Sequence, residues 1–292
     1  MLSKKLTVVF FIFSMFLRVP LTFGEVFFAD DFETGDLTKI GTAGAGWAGS
    51  NVGTGDTVSV TTGIARSGTY SVKFHYDGNP DLVDDALAEL RYKLKGTAGS
   101  GYQDFYMRYY IYYPTNFYIR DAVGPDNNKI GTTWGEEYSD RAKFNVEWEK
   151  GSSMGFKIPR DNTWPHTALV CEGAIAPGPD APRWTMDSSY LGRWVAWEFH
   201  YKMDDGSSNG AWELWIDGVQ KISVTGMSFV GAPCRPGYIR NGYLQGWANS
   251  GFTNDTDIYI DDVVFSTSYI GTDIPSDTPT LPEPPSDFQK GN

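Results

Sequence analysis

The stretch Arg193 to Val219, RWVAWEFHYKMDDGSSNGAWELWIDGV, constrains the fold more tightly than any other part of the chain. Val195, Trp197, Phe199 and Tyr201 alternate with Ala196, Glu198, His200 and Lys202. After a polar turn, Trp212, Leu214 and Ile216 alternate with Glu213, Trp215 and Asp217. Successive side chains of a strand point to opposite faces, so both segments present one apolar face and one polar face. The turn from Asp204 to Gly210 is built of Asp, Gly, Ser and Asn, which tolerate hairpin backbone angles. Asp217-Gly218 is a second tight turn, leading into Gln220 to Thr225. The segment predicts a three-stranded meander with Trp197 and Phe199 in a core and Glu198, His200 and Lys202 on the other side.

Strand signals of the same kind recur along the chain. They fall at Val26–Glu33, Thr57–Thr62, Tyr70–Tyr76, Gln103–Tyr113, Lys129–Trp134, Arg141–Trp148, Met154–Ile158, Gly237–Trp247 and Asp257–Phe265. Asp81 to Leu94 fits both periodicities and is read as a short helical turn followed by a strand from about Leu87. Gly41 to Gly55 reads as a glycine-rich loop. Arg160 to Tyr190 is aperiodic, and a loop of that length in a compact domain usually carries function. About a dozen short strands with almost no helix predict an all-β fold, a two-sheet antiparallel sandwich or jelly roll.

The ends of the chain read differently from its middle. Lys4 and Lys5 precede an apolar run from Leu6 to Leu17, and Thr22-Phe23-Gly24 offers a cleavage site. Residues 1–24 therefore read as a secretory signal peptide rather than a membrane anchor, because the run is short and broken by Arg18 and Pro20. Residues 25–271 form the expected single domain, and 272–292, with DIPSDTPTLPEPPSD, has too few apolar groups to pack. A secreted, extracellular or periplasmic protein is expected, with no membrane span in the mature chain and monomeric. In an oxidising compartment, Cys171 and Cys234 are expected to form one disulfide.

The chain carries 36 acids against 24 Lys and Arg, a formal charge of −12. Loss of Lys4, Lys5 and Arg18 with the leader takes this to −15, since residues 1–24 contain no acid. Such a charge opposes binding to nucleic acid or to anionic membranes. It also disfavours heavily sulfated polysaccharides, while uronate-bearing and neutral glycans stay open. No zinc, nucleotide or phosphate-loop motif is present, and no nucleophile elbow. Asn254-Asp255-Thr256 is a glycosylation sequon, meaningful in a eukaryotic secretory pathway.

Four segments taken in order resemble the concanavalin A-like lectin/glucanase jelly-roll superfamily. They are ADDFETGDL, ARSGTYSVKFHY, the meander, and IYIDDVVFSTSYIG. Within it the chain is most similar to polysaccharide lyases of the heparin lyase I-like type. The resemblance implies two curved sheets with a glycan groove on the concave one, and a structural calcium joining first and last strands. Asp30, Asp31 and Glu33 at one end, and Asp261 and Asp262 at the other, supply the kind of oxygens calcium takes; Asp31, Glu33 and Asp261 are the candidate ligands.

A lyase must neutralise a uronate carboxylate so that the C5 proton becomes acidic, then remove that proton. The resemblance implies that Arg91 (in Glu89-Leu90-Arg91) and Arg240 hold the carboxylate, Asn145 donates to it, and His200 or Tyr238 takes the proton. Glu89, Lys129, Trp134, Glu147, Tyr243 and Trp247 are the further candidates for substrate contact. This set requires Arg91, Asn145, His200 and Tyr238 to share one groove. Two departures from alginate-type lyases stand out: Lys129 to Trp134 lacks their Gln-x-His, and Tyr238-Ile239-Arg240 replaces their Tyr-Phe-Lys. Two other readings stand beside the lyase. One is non-catalytic, lectin-like glycan binding through Trp134, Trp164, Trp184, Trp215, Trp247 and the tyrosines of 106–113. The other is hydrolysis by Glu147 and Glu149, although VEWEKG lacks the full E-x-D-x-x-E of jelly-roll glucanases.

Overall fold

A computed structural model describes residues 24–80, 85–117, 127–138, 143–149, 153–157, 184–227, 237–249 and 251–272. In chain order the strands are β1 (Val26–Asp30), β2 (Gly46–Val52), β3 (Thr57–Thr61), β4 (Ser71–Tyr76) and β5 (Ala86–Lys93). Then come β6 (Asp104–Tyr112), β7 (Asn127–Trp134), β8 (Lys143–Glu149), β9 (Ser153–Lys157) and β10 (Trp184–Thr185). The chain finishes with β11 (Trp194–Lys202), β12 (Gly210–Ile216), β13 (Val219–Met227), β14 (Asn241–Ala248) and β15 (Thr256–Ser266). They form two antiparallel sheets of a jelly-roll sandwich, the all-β class expected. The first sheet runs β13-β12-β11-β6-β15-β4-β3, with β1 also paired to β15; the second runs β10-β9-β8-β7-β14-β5-β2.

The meander occupies three strands of the first sheet. Trp197, Phe199, Tyr201, Trp212, Leu214 and Ile216 are all buried in the core, as their alternation requires. Facing them from the second sheet are Ala88, Leu90, Tyr92, Phe144, Val146, Trp148 and Leu244. Trp148 donates Nε1–H to the Tyr113 hydroxyl at 3.2 Å, so the buried indole N–H is satisfied. Because alternate residues of each strand are consumed by this core, the complementary set faces outward. On the second sheet that set includes Glu89, Arg91, Asn145, Glu147, Tyr243 and Trp247.

β2 falls inside the segment read as loop. GWAGSNV has no alternating apolar pattern, and its register slips between Trp47 and Ser50; Gly49 sits at φ +94° in the left-handed region. It is an edge strand held by its partner β5 rather than by a buried face of its own. Asp85 and the residues up to Lys93 run straight into strand β5, while 81–84, the expected helical turn, lie outside the described residues. Cys171, Cys234, Trp164 and His166 also lie outside them, as do residues 1–23 and 273–292. Among the described residues no helix is long and apolar enough to cross a membrane.

Candidate active site on the second sheet

The pairing register lines up a single row across four strands of the second sheet. Arg91 on β5 is opposite Tyr243 on β14, Tyr243 is opposite Thr132 on β7, and Thr132 is opposite Asn145 on β8. With strands about 4.8 Å apart, the row spans about 14 Å perpendicular to the strands. Side chains in such a row are close neighbours. The Thr132 hydroxyl lies 2.7 Å from the Tyr243 hydroxyl and 2.8 Å from Asn145 Oδ1.

Arg91 is held from below. Glu89, two residues earlier on the same face, is 3% exposed, and its Oε2 accepts from Arg91 Nε at 3.0 Å and NH2 at 2.9 Å. Asn51 Nδ2 on β2 donates to the same oxygen at 3.0 Å. The guanidinium itself is 44% exposed, so a buried carboxylate orients a cation whose far side is open. This is the fork geometry arginine uses to meet a second carboxylate.

Tyr243 is 1% exposed, and Tyr138, in the turn after β7, shields it. The two hydroxyls are hydrogen-bonded. Burial, followed by the neighbouring Tyr138, pushes the Tyr243 hydroxyl well above the usual phenol range. Tyr138 is raised too, by burial first and the Glu89 charge, with Arg91 acting in the opposite direction. Trp134 packs edge-on to Tyr138 at 5.2 Å and tilted on Tyr243 at 5.9 Å, and Lys143 Nζ lies 3.9 Å from the centre of the Tyr138 ring.

The other end of β14 carries Trp247, 37% exposed, with Lys129 Nζ 6.0 Å from its ring centre. Lys129 is opposite Glu147 on β8. A bulge separates this end from Tyr243: Gln245 adopts φ +58° and Gly246 φ +151°, and the register with β7 is lost between Leu244 and Ala248. A Cβ on Gly246 would stand 2.8 Å from the Tyr243 ring, so the glycine is what allows the ring to sit there. Bulges of this kind re-aim side chains beside active sites.

Three expected positions fall elsewhere. His200 lies on the first sheet, on its outer face, and does not share a groove with Arg91. Its Nδ1 and Nε2 sit 2.8 Å from Glu213 and 2.7 Å from Asp104, and its ring stacks on Tyr106 at 4.2 Å. The alternation of β11 made it outward-facing, but which sheet β11 joins is set by long-range pairing. Tyr238 and Arg240 precede β14 and are committed to Glu136: the phenol donates to Oε1 at 2.8 Å and the guanidinium to Oε2 at 2.6 Å. Arg240 also donates to the Lys95 and Gly96 carbonyls, so it clamps a turn instead of meeting a ligand. Glu149 is in β8, but its side chain lies outside the described residues.

The carboxylates expected to hold calcium meet partners from the chain itself. Glu33 Oε1 accepts the Thr69 and Tyr70 N–H groups at 2.8 Å each, and Asp31 faces Lys39 at 3.5 Å. Asp261 Oδ2 accepts from the Arg66 and Ser67 backbone, and Asp262 binds the Arg66 guanidinium at 2.6 Å. Asp31, Glu33 and Asp261 form no common ligand set among the described residues. The chain's own Lys39 and Arg66 stand beside these strand-end carboxylates.

Thr132, Tyr138 and Asn51 were not singled out by sequence. Thr132 shares a face with Trp134 two residues on, which was a usable signal. Tyr138 and Asn51 sit in a turn and an aperiodic edge strand, where no period points to a face.

No protein-family model matches the chain, and no curated protein matches it by sequence. Solved structures do. The endo-β-1,4-glucuronan lyase of the fungus Trichoderma reesei aligns with TM-score 0.55 at 12% identity, over 84% of this chain and 96% of that one. An alginate lyase from Chlorella virus aligns with TM-score 0.52 at 14% identity, over 84% and 100%. At such identities the likeness is one of fold: the chain has the sandwich that these polysaccharide lyases use.

Proposed function

We propose that the chain is a secreted polysaccharide lyase that cleaves a 4-linked polyuronate by β-elimination on the outer face of its second sheet. The observation that carries this reading is the in-register row Arg91–Tyr243–Thr132–Asn145. It contains the three roles the reaction needs: a cation and an amide for the carboxylate, and a phenol to move the proton. Arg91, oriented by Glu89, and the Asn145 amide bind the uronate carboxylate and stabilise the charge that develops on it. Tyr243 as phenolate takes the C5 proton; the C4–O4 bond breaks, a C4=C5 double bond forms, and the proton passes from Tyr243 to O4. The phenolate is then regenerated, so the step balances in protons and charge. Tyr138 accepts the Tyr243 proton hydrogen bond at rest and must move aside to admit the sugar. Trp247 and Lys129 offer a stacking face and a cation to a neighbouring uronate.

The fold shared with a glucuronan lyase and an alginate lyase supports polyuronates as the substrate class to try first. The test is to incubate the chain from residue 25 with glucuronan, alginate, pectate and a neutral glucan, following unsaturated-uronate absorbance together with reducing ends. Both signals should rise together on a polyuronate. Reducing ends without absorbance would replace the lyase by a hydrolase; retention on an affinity gel without product would leave lectin-like binding.

A further inference from the structure

At the far end of the first sheet, β4 and β15 build a second cluster independent of the lyase reading. His75 is opposite Asp257, and the pairing continues from Tyr76 and Thr256 toward Asp77 and Asp255 just beyond the strands. Residues two apart on paired strands share a face, so an imidazole and three carboxylates are gathered on one side of the sheet. A ring nitrogen of His75 and one carboxylate oxygen each from Asp77 and Asp255 lie within 4.8 Å of one another. Donors bound at 2.0–2.2 Å to one tetrahedral ion stand about 3.3–3.6 Å apart, so the three draw together when an ion enters.

The surroundings arrange these donors. His75 Nδ1 lies 2.6 Å from Asp257 Oδ1; a carboxylate can only accept there, so Nδ1 carries the proton and Nε2 has the lone pair to offer. This is the carboxylate–histidine support that orients a metal-binding imidazole. Asp257 is itself steadied by Lys73 at 3.7 Å and the Tyr259 hydroxyl at 3.4 Å. Asp56, buried, accepts the Asp77 N–H at 2.8 Å and the Leu87 N–H at 2.6 Å, fixing the backbone from which Asp77 projects. Gly55, at φ +86°, leaves room for the Asp77 carboxylate: a Cβ there would stand 2.6 Å from its Oδ2. Asp255 Oδ1 accepts the Gly78 N–H at 3.0 Å. A cavity of about 300 Å³, walled by Asp255, Asp257, Tyr112 and Tyr259, opens on the β15 side of the cluster, so Asp255 and Asp257 border space there.

We propose that His75, Asp77 and Asp255 bind a first-row divalent cation such as Zn²⁺, with Asp257 as the positioning residue for His75. One nitrogen and two carboxylate donors suit zinc or manganese; calcium and magnesium take oxygen alone. Water completes the coordination. The ion clips the end of β4 to the start of β15 and relieves the repulsion between Asp77 and Asp255.

The experiment is calorimetric titration of the EDTA-treated, dialysed chain with ZnCl₂, paired with thermal unfolding. One site is expected, with Tm raised by about 5–10 °C at a zinc concentration a hundredfold above Kd. His75→Ala and Asp255→Asn should abolish both the heat and the shift, and Asp257→Asn should weaken binding about 10–100-fold. The single-residue variants keep the sheet pairing, and their zinc-free melting curves verify folding. Binding of zinc that is unchanged in His75→Ala and Asp255→Asn would place the ion elsewhere and overturn the proposal, as would absence of any heat. Lyase activity does not enter the readout, so the two proposals fail separately.

Discussion

The two outer faces of the sandwich carry polar side chains of similar kind but in opposite states. On the first sheet His200 is buried between Asp104 and Glu213, Asp104 also meets Lys202 at 3.4 Å, and Glu213 also accepts from Gln220 and Ser223. Beside it buried Glu198 accepts the Ile270 and Gly271 N–H groups, and Arg108 donates to the Gly271 carbonyl, so residues 270–271 are strapped across that face. On the second sheet the corresponding charges are half used: Arg91 is gripped by Glu89 on one side and open on the other. A histidine whose two nitrogens are both committed holds strands together. A cation oriented by a buried carboxylate and left accessible can meet a ligand.

The largest effect that separates the two faces is catalytic. Tyr243→Phe keeps the ring and removes the proton carrier, and polyuronate cleavage is expected to fall by about 10²–10⁴-fold, with His200→Ala unchanged in rate per folded molecule. Progress curves for unsaturated product on both variants decide it; a loss in the histidine variant and none in the phenylalanine variant would exchange the roles of the faces. Because burial raises the Tyr243 hydroxyl, the phenolate is scarce at neutral pH, and kcat/KM should climb with pH into the alkaline range.

Next in size is the stability cost on the first sheet. Removing His200 leaves Asp104 and Glu213 facing each other, which is expected to cost about 2–3 kcal/mol, below the fully buried range because Asp104 is partly solvated. Urea unfolding of His200→Ala measures it. The cost has a sign in pH. Burial lowers the His200 pKa, but bonds to Asp104 and Glu213 outweigh it and leave the group raised. A raised histidine stabilises fully below its unfolded value, near 6.5, and that contribution is lost as pH climbs through the folded value.

Asp261 adds to the same trend. Burial, then the adjacent Asp262, raises its carboxyl from 3.8 to about 7. The folded state therefore holds a proton that the unfolded state releases, and stability falls from about pH 4 to 7 and then levels off. Asp261→Asn should remove this slope and raise stability at pH 8 by about 1–2 kcal/mol; thermal melts at pH 5 and 8 test it. The smallest effect belongs to Trp247, where replacement by Ala should raise KM about fivefold, the worth of one stacking contact near 1 kcal/mol, and leave Tm in place.

Particular residues show how far the sequence reached. The two-residue period alone assigns Trp197 and Phe199 to the core, and the core holds them. Arg91 and Asn145 come from the lyase resemblance, with Tyr243 and Trp247 as further candidates for substrate contact, and the sheet brings the first three into one row. His200 comes from the same resemblance and stands on the other sheet, since alternation identifies a face without saying of which sheet. Tyr138 and Asn51 were missed because a turn and a bulged edge strand have no period to read.

What the sequence by itself determined, then, is the class of fold and the inward or outward sense of residues on the strands that alternate, because both follow from a two-residue period that is local. The strand order, and with it the meeting of Arg91 with Tyr243, of Arg66 with Asp262 and of His75 with Asp257, was decided by tertiary structure alone. Those contacts join residues more than a hundred positions apart, and hydrogen-bonded pairing between strands depends on how all the apolar faces are buried together, which no short stretch of sequence encodes.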